Sequence, residues 1–103
     1  MGTGLGSAVA IIGTGTIKFG ENFHQSLKAG ETRIGGSLPV NTSGGLKSCG
    51  HPIGSSGIRM INNIHDQLVG RAGKMQVPGA DMGLAHNLGG PGSVSAVAVL
   101  SQP

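Results

Sequence analysis

Apolar residues recur with helical spacing over one stretch of the chain. From 56 to 69 they return every three or four positions, which predicts an amphipathic helix that begins at Ser55 or Ser56 and stops at Gly70. Its predicted apolar face consists of Met60, Ile61, Ile64 and Leu68. Its predicted solvent face consists of Arg59, Asn62, Asn63 and Asp66. The spacing therefore buries one side of the helix and leaves the other in water.

Three short apolar runs predict strands. Residues 7–13, SAVAIIG, form a run rich in β-branched residues that ends in glycine, which predicts a buried strand. Residues 82–90 and 93–100 lie on either side of a Gly-Gly-Pro-Gly turn, which predicts a terminal β-hairpin. Residues 14–36 show no sustained period and are predicted to be loop or weak helix. The order β, loop, α, β, β indicates an α/β layered fold.

Composition narrows the class of protein. A chain of 103 residues forms one domain at most, and with two phenylalanines its core must be aliphatic. The net charge is +3, but the basic residues are scattered, so no nucleic-acid surface is expected. The single cysteine excludes an intramolecular disulfide. The apolar runs are far shorter than the ~20 residues of a membrane span, and no secretory leader is seen, so a cytoplasmic protein is expected.

Two glycine-rich segments raise questions of chemistry. Gly13–Gly20, GTGTIKFG, follows a strand as a dinucleotide loop would, but Lys18 stands where the third glycine is needed, so this interpretation is weak. Cys49 and His51 lie two residues apart and could form a nucleophile and base, although sequence proximity does not establish that geometry. The alternative is a passive cysteine in a tight turn. Cys49 and the histidines do not show metal-ligand spacing, and no metal is expected.

Two histidines remain candidates for catalysis. His51 precedes a helix whose free N–H groups favour negative charge, and Pro52 restricts its backbone, so it could relay a proton or stabilise an oxyanion. His86, with Asn87, is predicted to end a strand before small residues that allow a ligand to approach the backbone. In both cases the alternative is an ordinary turn with an incidental histidine.

The motifs together resemble a known family. LPVNTSGGLKSCGHPIGSSG, at 38–57, followed by a helix and by GLAHNLGGPGSVSAVAVL, at 83–100, resembles the C-terminal part of thiolases. The resemblance is strongest to the sterol-carrier-protein-like and archaeal acetyl-CoA acetyltransferase branch. It runs from about Glu31 to Leu100. AVAIIGTGTIKFG, at 8–20, separately resembles the first strand and loop of the same family.

The resemblance implies a thiolase-like layered α/β fold, present here as a partial C-terminal domain. Thiolases are several times longer and consist of two similar halves. The expected organisation is an N-terminal strand and loop at 1–22, a deletion seam at 23–30 and a C-terminal domain fragment at 31–103. The middle of the family's chain would then be missing.

The resemblance also implies roles for individual residues in a Claisen condensation or its reverse, thiolysis. His51 matches the histidine that activates the nucleophilic cysteine and helps to form an oxyanion hole. His86 matches the position of a second, acid/base cysteine in other branches, and Leu88 that of a glycine whose N–H donates to an oxyanion. The supporting turns are matched by Gly50, Pro52, Gly54, Gly89, Gly90 and Gly92. Cys49 does not match the nucleophile, whose segment is absent.

The implied partner is coenzyme A, with its thioester as substrate and no separate cofactor. A chain without the nucleophile is expected to be inactive alone. Two other interpretations stay open: a non-catalytic module that self-associates or docks on a thiolase-like subunit, and a nucleotide-binding module built on Gly13–Gly20. Exposed strand edges favour self-association under any of the three.

Overall fold

The structure is a computed structural model that describes residues 28–103 and the backbone of residues 9–13. Its strands are β1 (Val9–Gly13), β2 (Met82–Gly89) and β3 (Val94–Ser101). Its helices are α1 (Gly45–Cys49), α2 (Ser56–Leu68) and a 3-10 turn at Gly73–Met75. The predicted nucleotide loop beyond Gly13 and the seam up to residue 27 lie outside the described residues, as does the predicted burial of the first strand.

The three described strands form one sheet in the order β1-β2-β3. β1 runs parallel to β2, with Gly13 opposite His86. β2 and β3 are antiparallel and pair from Met82 with Ser101 to Gly89 with Val94, which confirms the predicted hairpin. Gly90 and Gly92 adopt positive φ angles of 57° and 91° in the connecting turn, a conformation that glycine adopts without steric cost.

Helix α2 packs on one face of this sheet and confirms the predicted amphipathic helix. Met60, Ile64 and Leu68 are buried together with Ala85, and Ile61 packs beside them. A Cβ at Gly83 would stand 2.5 Å from Cγ2 of Ile64, so the close approach of helix and strand requires a glycine there. Gly57 lies by Asn87 and Ile64 by Gly83, so α2 runs antiparallel to β2 and begins at its carboxyl end.

A polar side chain within the core holds the segment that follows the helix. Gln67 is 3% exposed. Its Nε2 donates to the Met75 carbonyl at 2.6 Å and to Thr42 Oγ1 at 3.2 Å, and its Oε1 accepts from the Val77 N–H at 2.7 Å. A buried amide with all these partners fixes the connection between α2 and β2 instead of destabilising it. The apolar spacing alone did not predict this buried glutamine.

Three local expectations are corrected. The glycine-rich segment before His51, for which no helix was predicted, contains the five-residue helix α1, which begins after Gly44 in the left-handed region with φ 88°. Ser55 occupies the N-cap of α2 but makes no side-chain capping bond, because its hydroxyl faces the Pro52 carbonyl at 3.4 Å. Arg59, expected in water, is only partly exposed and bonds to two carbonyl oxygens.

The other face of the sheet is covered by no element among residues 28–103. Side chains alternate along a strand, so Leu84, His86 and Leu88 lie on the opposite side from Gly83 and Ala85. On β3, Val97 and Val99 of this face are 60% and 58% exposed. We call the face formed by these five residues and Ser95 the open face. No helix in the described part of the chain is long and apolar enough to cross a membrane.

Candidate functional site

His51 lies in a loop that joins two helices and is fastened at both ends. At the first end, Gly50 closes α1 with φ 78° and ψ 172°, a conformation nearly restricted to glycine, and its N–H donates to the Leu46 carbonyl at 2.7 Å. At the second end, the Pro52 carbonyl accepts from the N–H groups of Ser55 and Ser56, both at 3.0 Å. Gly54, which matches the supporting turn of the family, does not have a positive φ. The loop thus presents His51 at the start of α2.

The His51 ring is oriented by a buried serine. Nδ1 lies 2.7 Å from Oγ of Ser56, a residue that is only 2% exposed. The Ser56 hydroxyl donates to the Pro52 carbonyl at 3.1 Å. Where the single Ser56 hydroxyl proton is directed at Pro52, Oγ accepts from the Nδ1–H of the ring, and this tautomer leaves the lone pair on Nε2. The ring itself is exposed, so Nε2 is available to a reacting group.

Cys49 is not arranged as the nucleophile of His51. It is exposed at the end of α1, and its thiol donates to the Ser43 carbonyl at 3.6 Å. No hydrogen bond between the thiol and His51 is seen, whereas His51 is bonded to Ser56. The geometry therefore does not support a Cys49–His51 pair.

His86 lies within β2 rather than at its end, because the strand continues to Gly89. It pairs with Val97 in the register, and its Nε2 lies 2.7 Å from Oγ of Ser95 on the same face. Leu88 is partly buried opposite Ser95, and Gly89 is opposite Val94. Strand alternation thus places His86 and Leu88 on the open face, away from α2.

His51 and His86 share one end of the sheet but not one face. The β2 side chain beside the start of α2 is Asn87, whose Nδ2 is 3.0 Å from the point where a Cβ on Gly57 would stand. A cavity of about 150 Å³ lies there, lined by Gly57, Met60, Ile61, Ala85, Asn87, Ala96 and Ala98. Asn87 was missed as an individual candidate, although its alternation with Ala85 placed it on the helix side. Within the described residues, no group of three or more histidine, cysteine or acidic residues is placed to hold a metal ion.

The sequence that forms this helix, the terminal hairpin and the His51 loop matches a known family of domains. The family model described as thiolase C-terminal domain-like matches residues 5–102. The chain belongs to this family, as the motifs at 38–57 and 83–100 indicated.

The relatives place the chain in the expected branch. It is 45% identical over 94 residues to the acetyl-CoA acetyltransferase of Methanothermobacter thermautotrophicus, a match that covers 91% of this chain and 24% of that protein. It is 49% identical over 65 residues to human sterol carrier protein 2, covering 63% of this chain and 12% of that protein. The non-specific lipid-transfer protein-like 2 of Caenorhabditis elegans is 39% identical over 66 residues, 64% of this chain and 16% of that protein. The chain thus spans a quarter or less of the length of these relatives.

Proposed function

We propose that this chain supplies part of the active site of a thiolase-type acyltransferase, which acts on coenzyme A thioesters by Claisen condensation or thiolysis. The observation that carries the proposal is the His51–Ser56–Pro52 chain of hydrogen bonds at the start of α2, within the stretch that the family model matches. This arrangement leaves a fixed imidazole with Nε2 free, as a general base or oxyanion partner requires.

In this proposal His51 removes the proton from a cysteine thiol that lies outside the described residues. The thiolate then attacks the carbonyl carbon of an acyl-CoA, coenzyme A leaves with the proton, and the acyl group rests on the cysteine as a thioester. Cys49, the only cysteine of the chain, is the weaker candidate because its thiol is bonded to the Ser43 carbonyl. The nucleophile is therefore assigned to a polypeptide segment beyond these residues.

The activity expected of the chain alone follows from how much each missing catalytic group lowers the rate. Removal of one oxyanion donor lowers kcat by about 10²–10³, whereas removal of the nucleophile from a cooperating set lowers it by on the order of 10⁶. A chain that carries the base without the nucleophile should thus be almost inactive. His86, Leu88, Gly89 and Gly90 would contribute only after a partner covers the open face.

The organisation proposed for the chain is a strand and loop at 1–22, a deletion seam at 23–30 and a C-terminal domain fragment at 31–103. The parallel pairing of β1 with β2 supports a structural role for the first segment, since it adds a strand beside His86. The family match includes residues on both sides of the seam. Genomic sequence across residues 22–31 tests the division, because an intervening coding segment would establish the deletion and an uninterrupted exon would count against it.

Complementation tests the function. The purified chain is mixed with the remaining N-terminal part of the Methanothermobacter acetyltransferase, and thiolysis of acetoacetyl-CoA is measured against each component alone. We expect activity only in the mixture, and equal activity when Cys49→Ala replaces the wild-type chain. Thiolysis by the chain alone would overturn the assignment of the nucleophile. Loss of the mixture's activity when a folded Cys49→Ala chain is used would overturn it as well.

A non-catalytic assembly module is the second candidate, and the exposed apolar side chains of the open face favour it. Val97 and Val99 are more than half exposed on this face. If a second copy or a thiolase-like subunit covers the face, sedimentation should show association that weakens in the Val97→Thr, Val99→Thr double variant. Val94→Thr is the matched control, because Val94 is 65% exposed but projects to the other side of the sheet. Association without complemented activity would favour this candidate over the first.

A cytoplasmic location remains a prediction for either candidate.

A further inference from the structure

Arg59 is the one described arginine that bonds to the loop carrying His51. Its Nη1 donates to the Cys49 carbonyl at 3.2 Å, and its Nη2 donates to the Gly50 carbonyl at 2.7 Å. Gly50 is directly bonded to His51 in sequence. The guanidinium group therefore joins the first turn of α2 to the backbone immediately before the candidate base.

The two carbonyls need an external partner. They come at the end of α1, and the last carbonyls of a helix have no N–H donor within it. A planar guanidinium has two parallel N–H donors and suits a pair of adjacent carbonyls better than a single ammonium does. Its positive charge is also favourable beside a helix C-terminus. Arg59 therefore completes the end of α1 from a different helix.

Gly50 is the residue of this loop whose backbone angles such a restraint would limit most. Its φ of 78° and ψ of 172° lie where glycine moves with little steric resistance, and a Cβ there would meet nothing within 4 Å. No atom at the Cβ position limits rotation at this residue, and within the loop its own N–H alone is held, by the Leu46 carbonyl. The two bonds from Arg59 hold the peptide carbonyls on either side of the Gly50 Cα, one in the Cys49–Gly50 peptide and one in the Gly50–His51 peptide, and so limit that rotation.

Helix α2 consequently fixes His51 in two ways. Ser56 holds the ring at Nδ1, and Arg59 holds the backbone that precedes it. Both residues lie on helix α2, so the His51 ring and the backbone before it are held in a fixed position relative to each other. If the backbone bonds are lost, His51 can shift relative to Ser56 and the bond to Nδ1 is made for a smaller fraction of the time.

We propose that Arg59 is a positioning residue for His51, which sets the direction of Nε2 by clamping the Cys49 and Gly50 carbonyls to α2. The consequence for catalysis rests on the function proposed above for His51, whereas the consequence for the ring itself does not. Displacement of a reacting group by about 1 Å can lower a rate about a hundredfold. Arg59→Met should therefore reduce complemented kcat by about tenfold to a hundredfold with little change in KM.

The direct test observes the imidazole in this chain alone. Proton–nitrogen correlation spectra of the neutral histidine rings are compared for the wild type, Arg59→Met, Arg59→Lys and Arg71→Met, with His51→Ala for assignment. We expect one His51 tautomer, protonated at Nδ1, in the wild type and averaged nitrogen shifts in Arg59→Met. Arg59→Lys should be intermediate, because an ammonium reaches one carbonyl at a time.

Arg71→Met is the matched control, since Arg71 forms an exposed ion pair with Asp66 at 3.2 Å near the other end of α2. Its His51 spectrum should equal the wild type. An unchanged His51 spectrum in folded Arg59→Met would overturn the proposal even if complementation succeeds. Failed complementation by the wild type would instead contradict the proposed function and leave the spectral test intact.

Folding of the variants is checked by the helical circular dichroism of each protein. If Arg59→Met does not fold, Arg59→Gln, which keeps one donor group, is measured in the same way. Loss of the folded state in both variants would also overturn the proposal, because Arg59 would then be a residue of global stability rather than of His51 position.

Discussion

The two candidate histidines differ in how the fold holds them. His51 lies on the helix side of the sheet end, with its ring bonded to a serine that is 2% exposed and its loop fastened at both ends. His86 lies on the open face, with its ring bonded to Ser95 across the hairpin. The bonds that hold His51 all come from residues of this chain, whereas His86 faces a surface that no element among residues 28–103 covers. A site built from both requires further structure on the open face.

The largest expected difference between the two is in catalysis. In the complemented enzyme, His51→Ala should lower kcat by about 10²–10⁴, the range for loss of a general base. His86→Ala should lower kcat by about tenfold or less, because the serine that bonds to the His86 ring is exposed, whereas the partner of His51 is buried. Initial rates of acetoacetyl-CoA thiolysis measure both, with the exposed His65→Ala as the control. A larger loss from His86→Ala than from His51→Ala would reverse the comparison.

The two faces should also differ in their contribution to stability. Ile64 is fully buried against Gly83 and Ala85, so Ile64→Ala should lower the free energy of unfolding by about 2–5 kcal/mol. Val99 on the open face is 58% exposed, and Val99→Ala should cost about 0.5 kcal/mol or less. Urea unfolding followed by circular dichroism gives both values. Equal losses would show that the open face is already covered.

The two serines at the start of α2 provide the comparison with the smallest expected effect. Ser56→Ala removes the bond to His51 Nδ1 and should lower the free energy of unfolding by about 1 kcal/mol. The His51 ring should then no longer be held in a single tautomer. Ser55→Ala is its neighbour and control, because the exposed Ser55 hydroxyl makes only a 3.4 Å contact with the Pro52 carbonyl. Thermal unfolding and the His51 ring spectrum should change in the first variant and stay unchanged in the second. A similar response from both serines would remove the special role of Ser56.

Sequence patterns predicted the elements whose signals are periodic. The spacing of Met60, Ile64 and Leu68 predicted α2, and two apolar runs around a glycine-rich turn predicted the hairpin. Helix α1 was not predicted, because its five residues are too few to show a helical period and because Gly44 and Gly45 indicated a loop. The branch of the family followed from the motifs, which are specific even where periodicity is weak.

The hydrogen bonds that hold the site in place could not be predicted from the sequence. Arg59 was assigned to water because the helical spacing places it opposite the apolar face, yet its partners are backbone carbonyls at the end of α1. Gln67 was not part of the predicted apolar face, and its bonds reach residues up to 25 positions away. Such partners are set by the path of the backbone, which residue types do not encode locally. The face of His86 was readable in principle from its alternation with Ala85.

The central claim is that His51 serves a cysteine that this chain does not contain. Labelled acetyl-CoA, added to the chain mixed with the N-terminal part of the archaeal acetyltransferase, should acetylate a cysteine of that N-terminal part, and peptide mass spectrometry should locate it. The same label should leave Cys49 unmodified, both in the mixture and in the chain alone. Acetylation of Cys49 at a rate that depends on His51 would contradict the claim and make this chain its own nucleophile.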